Sequence, residues 1–151
     1  MREDINQALK TAMKARDQRR VSTLRLMLAA IKDRDIAARA EDRCEGASPE
    51  EILQILQKMV RQREESIRTY EEAGRADLAE QEREEEEIIK SFLPRQLSPA
   101  EIETACGHLL QEMGASTIKD MGRCMGALKE RYAGQMDFAR ASAIVKEKLA
   151  H

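Results

Sequence analysis

Apolar residues recur at three- and four-residue intervals along nearly the whole chain, the spacing of one face of a helix. Ile5, Leu9 and Met13 define a first helix with Asp4 as its candidate cap, and Arg16-Asp17 interrupts it. Asp17 can cap a second, longer helix whose seam is Val21, Leu24, Leu28 and Ile31. The periodicity lapses from Ala40 to Ala47, which reads as a loop containing Gly46. Ser48-Pro49-Glu50-Glu51 then supplies a cap, a proline at the first helical position and acids at the positive end of the helix dipole. The helix it starts is predicted to bury Ile52, Leu56, Met59, Ile67 and Tyr70 and to stop at Gly74. A fourth helix is predicted from about Asp77 to Phe92, with Leu78, Ile88, Ile89 and Phe92 inward and Pro94 beyond its end.

Ser98-Pro99-Ala100-Glu101 repeats the start signal, and Ile102, Cys106, Leu109, Leu110 and Met113 follow before Gly114. Ser116 or Thr117 can cap a sixth helix carrying Ile118, Met121, Met125, Leu128 and Tyr132. After Gly134, Asp137 can cap a seventh with Phe138, Ala141, Val145 and Leu149. No fixed period relates the segments, so they are not repeats. The pattern predicts an all-α protein. An N-terminal four-helix, bundle-like unit over 1–94 is followed by a small three-helix unit over 98–151.

Composition supports helix over sheet. Aromatics are 3% of the 151 residues, and only seven Gly and three Pro are present, too few for the turns of a sandwich or barrel. Charged residues reach 36%, but a hydrophobic content of 42% suffices for a core. The longest apolar run, Leu26 to Ile31, is far short of a membrane span. Residues 1–94 hold 18 Lys/Arg against 21 Asp/Glu, and residues 95–151 hold 8 against 7. Neither has the excess of a tight, non-specific nucleic-acid binder, so any such role must come from local patches. Cys44, Cys106 and Cys124 are odd in number and widely spaced, which reads as free thiols in a reducing compartment and points to the cytoplasm.

Several stretches together resemble the YqeY-like family, a domain also found as the tail of the tRNA-dependent amidotransferase. They are Ser22-Thr23-Leu24-Arg25, then Arg63, Ser66, Ile67 and Tyr70, then Ala73-Gly74-Arg75-Ala76-Asp77-Leu78. Phe92-Leu93-Pro94 with Gln96-Leu97, Gly114-Ala115, Lys119-Asp120-Met121-Gly122 and Met125-Gly126 complete the set in the family's order. The resemblance implies a two-part helical fold and a role near transfer RNA, with an aminoacyl-tRNA-synthesis protein as a further possible partner. In the amidotransferase, glutamine hydrolysis and amide transfer occur in other domains. A carbon–nitrogen ligase role with glutamine as amide donor would therefore be inherited from the larger enzyme. Many relatives carry a basic, glycine-bracketed turn before the last helix. Here it reads Tyr132-Ala133-Gly134-Gln135-Met136-Asp137 without Lys or Arg, which implies weaker RNA contact.

Catalytic chemistry finds little support. Cys106 and His108 form a C-x-H pair that cannot face one way on a helix, and His151 is terminal, so no metal site is expected. Ser22 and Ser66 lack a histidine partner in recognisable spacing. Glu84 to Glu87 point all round their helix and read as a solvated face. No phosphate-binding glycine loop is present. Neither cofactor nor small-molecule substrate is expected, and the methionines at 113, 121 and 125 read as core.

Two basic candidates remain. Lys10, Lys14, Arg16, Arg19, Arg20 and Arg25 surround the first helix junction, where solubility and pairing with acidic helices explain them equally well. On the sixth helix, Lys119, Gly122, Arg123 and Gly126 fall at i, i+3, i+4 and i+7. Each mid-helix glycine costs ~1 kcal/mol against alanine, so two on one strip call for a close neighbour: a packed helix, or a sugar-phosphate chain flanked by cations. The reading is a non-catalytic, tRNA-engaging accessory protein, with a helical protein–protein adaptor as the alternative.

Overall fold

The computed structural model describes residues 1–42 and 45–150; Cys44 and His151 lie outside them. Among the described residues the helices are α1 (Arg2–Ala15), α2 (Gln18–Ala40), α3 (Pro49–Glu72), α4 (Ala76–Lys90), α5 (Pro99–Glu112), α6 (Met121–Arg131) and α7 (Phe138–Leu149). A 3-10 turn, Ile118–Asp120, leads into α6, and there is no strand among the described residues. The backbone groups into two compact units, Met1–Pro94 and Arg95–His151.

The start signals act as their chemistry dictates. Ser48 and Ser98 each accept from the N–H three residues on, while Glu51 and Glu101 reach back to the Ser48 and Ser98 N–H groups. Asp17 accepts from the Arg20 N–H at 3.2 Å, after Arg16 closes α1 at φ 58°. Asp4 differs from the expectation. Helix α1 begins at Arg2, and Asp4 sits inside its first turn, 3.6 Å from the N-terminal ammonium.

In the first unit, α1 packs on α2, and α4 packs on both α2 and α3. Ile5, Leu24, Met27, Ile31, Leu56 and Ile89 are its largest fully buried side chains among the described residues. Met27 takes the central place expected of Leu28, which is only half-buried. Helix α3 buries nothing beyond Val60, so Ile67 and Tyr70 are half-buried rather than core. Helix α3 meets α4 far more than it meets α2, and a helix flanked mainly by one neighbour leaves such side chains partly open.

Ionic contacts knit this stretch instead. Arg83 meets Glu71, and Arg63 lies 3.6 Å from Glu85 with both side chains largely covered. Burial first, and then the neighbouring Glu86 and Glu85, push the Glu64 and Glu82 carboxyls up. The run Glu84 to Glu87 is thus not a uniformly solvated face, because Glu85 and Glu86 turn toward α3.

The loop after α2 is fastened from behind. Asp35 accepts from Arg2 through both terminal nitrogens, at 2.6 and 2.5 Å, and from the Ala47 N–H at 2.8 Å. Arg2 also donates to the Ala47 carbonyl at 3.0 Å. Gly46 and Ala47 are buried, so this segment is part of the packing rather than a solvated connection.

In the second unit, α7 packs on α5 and α6 around Cys106, Leu109, Cys124, Leu128, Met136, Ala141 and Val145. The turn before α7, expected to have lost a phosphate contact, does a structural job. Its Gly134 carbonyl accepts from the Gln96 side chain at 2.6 Å, its Gln135 carbonyl from the Leu97 N–H at 2.8 Å, and Met136 is buried. We expect limited proteolysis to cut first near Arg95, between the two units. First cleavage inside α2 or α3 would contradict that outcome.

Candidate nucleic-acid interface

Helix α6 starts at Met121, later than its apolar pattern suggested, and the reason is local. The Asp120 carboxylate accepts from the Ser116 and Thr117 N–H groups at 3.1 and 3.3 Å, closing a tight turn. Those two donors hold the Asp120 carboxyl below its ordinary range. Ile118 and Lys119 belong to this turn and are exposed, so Ile118 does not join the apolar stripe and Lys119 is out of register with α6.

Gly122, Arg123 and Gly126 remain together on the exposed side of α6. A Cβ built on Gly122 or on Gly126 meets no atom within 4 Å. Packing among the described residues of the second unit therefore does not account for either glycine. Arg123 is partly engaged, its Nη2 donating to Asp120 Oδ1 at 3.1 Å and to the Met113 carbonyl at 3.4 Å. Lys129, which sequence spacing alone did not single out, is exposed seven residues after Gly122 and three after Gly126, on the same face. The signal was available in that spacing, because the predicted sixth helix already ran past Leu128 to Tyr132.

The junction cations do not converge. Arg19 and Arg20 border a recess of about 440 Å³ that they share with Asp17, Glu84, Glu87 and Ile88. Arg19 lies 3.6 Å from Glu84. Three carboxylates beside two guanidinium groups make a poor seat for phosphate. Arg25, six residues from Arg19, is exposed on another side of α2.

The described cysteines and His108 do not come together either. Cys106 and Cys124 are buried, and burial pushes both thiols up, away from the reactive thiolate. His108 faces outward while Cys106 faces in. No group of three or more His, Cys, Asp or Glu side chains among the described residues is placed to hold a metal ion. No helix among them is long and apolar enough to cross a membrane.

Much of the family-like pattern proves structural. Thr23 is fully buried with its hydroxyl on the Arg19 carbonyl, Gly74 ends α3 at φ 71°, and Asp120 closes its turn. Lys119, Gly122 and Gly126 have no such explanation.

Comparison with known proteins agrees with the pattern. The family model for Yqey-like protein matches residues 2–149. The chain is 36% identical over 115 residues to a protein of Lachancea thermotolerans named "Altered inheritance of mitochondria protein 41, mitochondrial", covering 75% of this chain and 59% of that protein. Proteins of the same name from Clavispora lusitaniae and Vanderwaltozyma polyspora are 37% and 32% identical, over 72% and 78% of this chain and 61% and 64% of theirs. The chain thus spans about three-fifths of the length of these curated relatives. Their names mention no enzymatic activity. They overturn the cytoplasmic assignment, since all three are named as mitochondrial proteins. Unpaired cysteines report only that thiols stay reduced, and that does not single out one compartment.

Proposed function

The chain belongs to the YqeY-like protein family, and from that premise we propose that it is a non-catalytic accessory protein that engages transfer RNA through the exposed face of α6. The observation that carries this reading is the bareness of Gly122 and Gly126. Two mid-helix glycines cost together ~2 kcal/mol of helix stability against alanine, and among the described residues of the second unit no neighbouring element lies close enough to need them. A sugar-phosphate chain could lie against the bare backbone with Arg123 and Lys129 on the same helix and Lys119 in the turn that leads into it. The resemblance to the amidotransferase tail supports RNA over a protein in that place. The names of the curated relatives mention no enzymatic activity, which is consistent with a non-catalytic role.

Titration with folded tRNA and with duplex DNA of equal length tests the proposal. Three cationic contacts give a salt slope of about −2.7, so tRNA affinity should fall about fortyfold between about 50 and 200 mM salt. Tighter binding of tRNA than of the duplex is expected. Equal affinities would mean unspecific charge attraction, and no binding of either at low salt would favour the protein–protein adaptor.

A further inference from the structure

Helix α2 has two apolar faces, which nearly cancel its net amphipathicity. Leu24, Ile31 and Ala38, spaced by seven, are buried in the core. On the opposite side Ser22, Leu26, Ala29, Asp33, Ile36 and Ala40 alternate by four and three residues, the seam of a coiled coil. All six are exposed, Leu26 at 49% and Ile36 at 56%. Arg25, Lys32 and Arg39 recur every seventh residue along one edge of this seam, and all three are exposed. The other edge carries Ala30 and Ala37.

We propose that this face of α2 docks an acidic amphipathic helix of another protein, apolar along its own seam and lined with Glu or Asp. The register selects that occupant. Heptad spacing sustained over Ser22 to Ala40 matches a partner helix, and the small Ala29, Ala37 and Ala40 allow close approach. A basic edge repeated at Arg25, Lys32 and Arg39 calls for acids opposite it.

A second copy of this chain does not supply them. Parallel pairing sets Asp33 against Asp33 and the basic edge against alanines. Antiparallel pairing sets the basic edges against each other. A lipid surface is a poorer match, because the face has no aromatic residue and carries Asp33 at its centre. RNA would leave Leu26 and Ile36 uncovered. This inference is independent of the α6 reading, which concerns other residues and another ligand class.

The probe is a synthetic four-heptad peptide with Leu and Ala along its seam, Glu at both flanks and one Lys placed to meet Asp33. Its twin carries Lys at the flanks instead. The full chain should bind the acidic peptide at least about tenfold more tightly than the basic one. Arg25→Glu with Lys32→Glu should reverse that preference; Arg39 stays in place because its charge also acts on Asp35. Leu26→Ser with Ile36→Ser should weaken acidic-peptide binding at least about tenfold at unchanged far-UV helicity, since both side chains stand in solvent. Equal binding of the two peptides, or failure of the charge reversal to switch them, would overturn the proposal. So would a self-association, or binding of phosphatidylglycerol vesicles or of tRNA, that Leu26→Ser with Ile36→Ser abolishes.

Discussion

Gly126→Leu is expected to lower tRNA affinity at least about tenfold while leaving the helix content and melting of the second unit essentially unchanged. The separation of the two effects is the informative part. Leucine is a better helix former than glycine, and the Cβ position is open, so the folded protein has no reason to object. A phosphate chain lying against bare backbone does, because the isobutyl group would hold it several ångströms away. Lys119→Glu with Arg123→Glu should also weaken binding and should flatten the salt slope by about two. Arg19→Glu with Arg20→Glu should do much less, because the recess beside them already holds Asp17, Glu84 and Glu87. The reverse ranking would move the RNA contact to the first unit. Loss of helicity in Gly126→Leu would assign the glycine to folding and remove the strip's claim.

The all-helical fold was legible because its signals are local. Ser-Pro-x-Glu at residues 48 and 98 fixes two helix starts through the bonds those side chains make to neighbouring N–H groups. The misreadings occur where tertiary context decides. Apolar spacing carried α6 back to Ile118, yet the carboxylate of Asp120 makes a turn there and leaves Ile118 48% exposed. Ile67 and Tyr70 keep helical spacing with the core of α3, but the burial of α3 stops at Val60 and leaves them half-buried. Periodicity also gave α2 a single seam. It was the structure that separated Leu24 and Ile31 on the buried side from Leu26 and Ile36 on the open one.

The candidate site was legible to a different degree. Residue type and spacing drew attention to Gly122, Arg123 and Gly126, because glycine in a helix needs a reason. Whether that reason lay inside the chain could not be read from spacing. It required knowing that no neighbour approaches either Cβ position. The contact joining Arg2, Asp35 and Ala47 was invisible for a simpler cause: its members are 33 and 12 residues apart in sequence, with no motif to link them.

That contact should give Gly46→Ala the largest loss of stability of any alanine substitution of a glycine in the first unit. Gly46 has φ +80°, where an L side chain is strained by about 1–2 kcal/mol. Its Cβ would also stand 2.5 Å from Asp35 Oδ1. The carboxylate cannot swing away freely, since Arg2 and the Ala47 N–H hold it. Together the two effects predict a loss of about 2–4 kcal/mol, read as a fall of about 10 °C or more in the melting temperature of that unit. Asp35→Ala alone should cost about 1–2 kcal/mol by leaving Arg2 and the Ala47 N–H without their acceptor.

Combining the two should cost clearly less than their sum, because removing the carboxylate also removes the clash. Additive losses would show that Asp35 is not what forbids a side chain at Gly46. The pH dependence supplies a second check. Arg2, above all, with help from the Ala47 N–H, holds the Asp35 carboxyl down to about 2. A depressed carboxyl stabilises the fold fully above its ordinary value near 4, and that contribution disappears as pH falls from about 4 toward 2. The stability gap between the native chain and Asp35→Asn should therefore be constant above about pH 5 and close on acidification. A gap that persists unchanged at the lowest pH would mean that the charge of Asp35 contributes nothing to holding the loop.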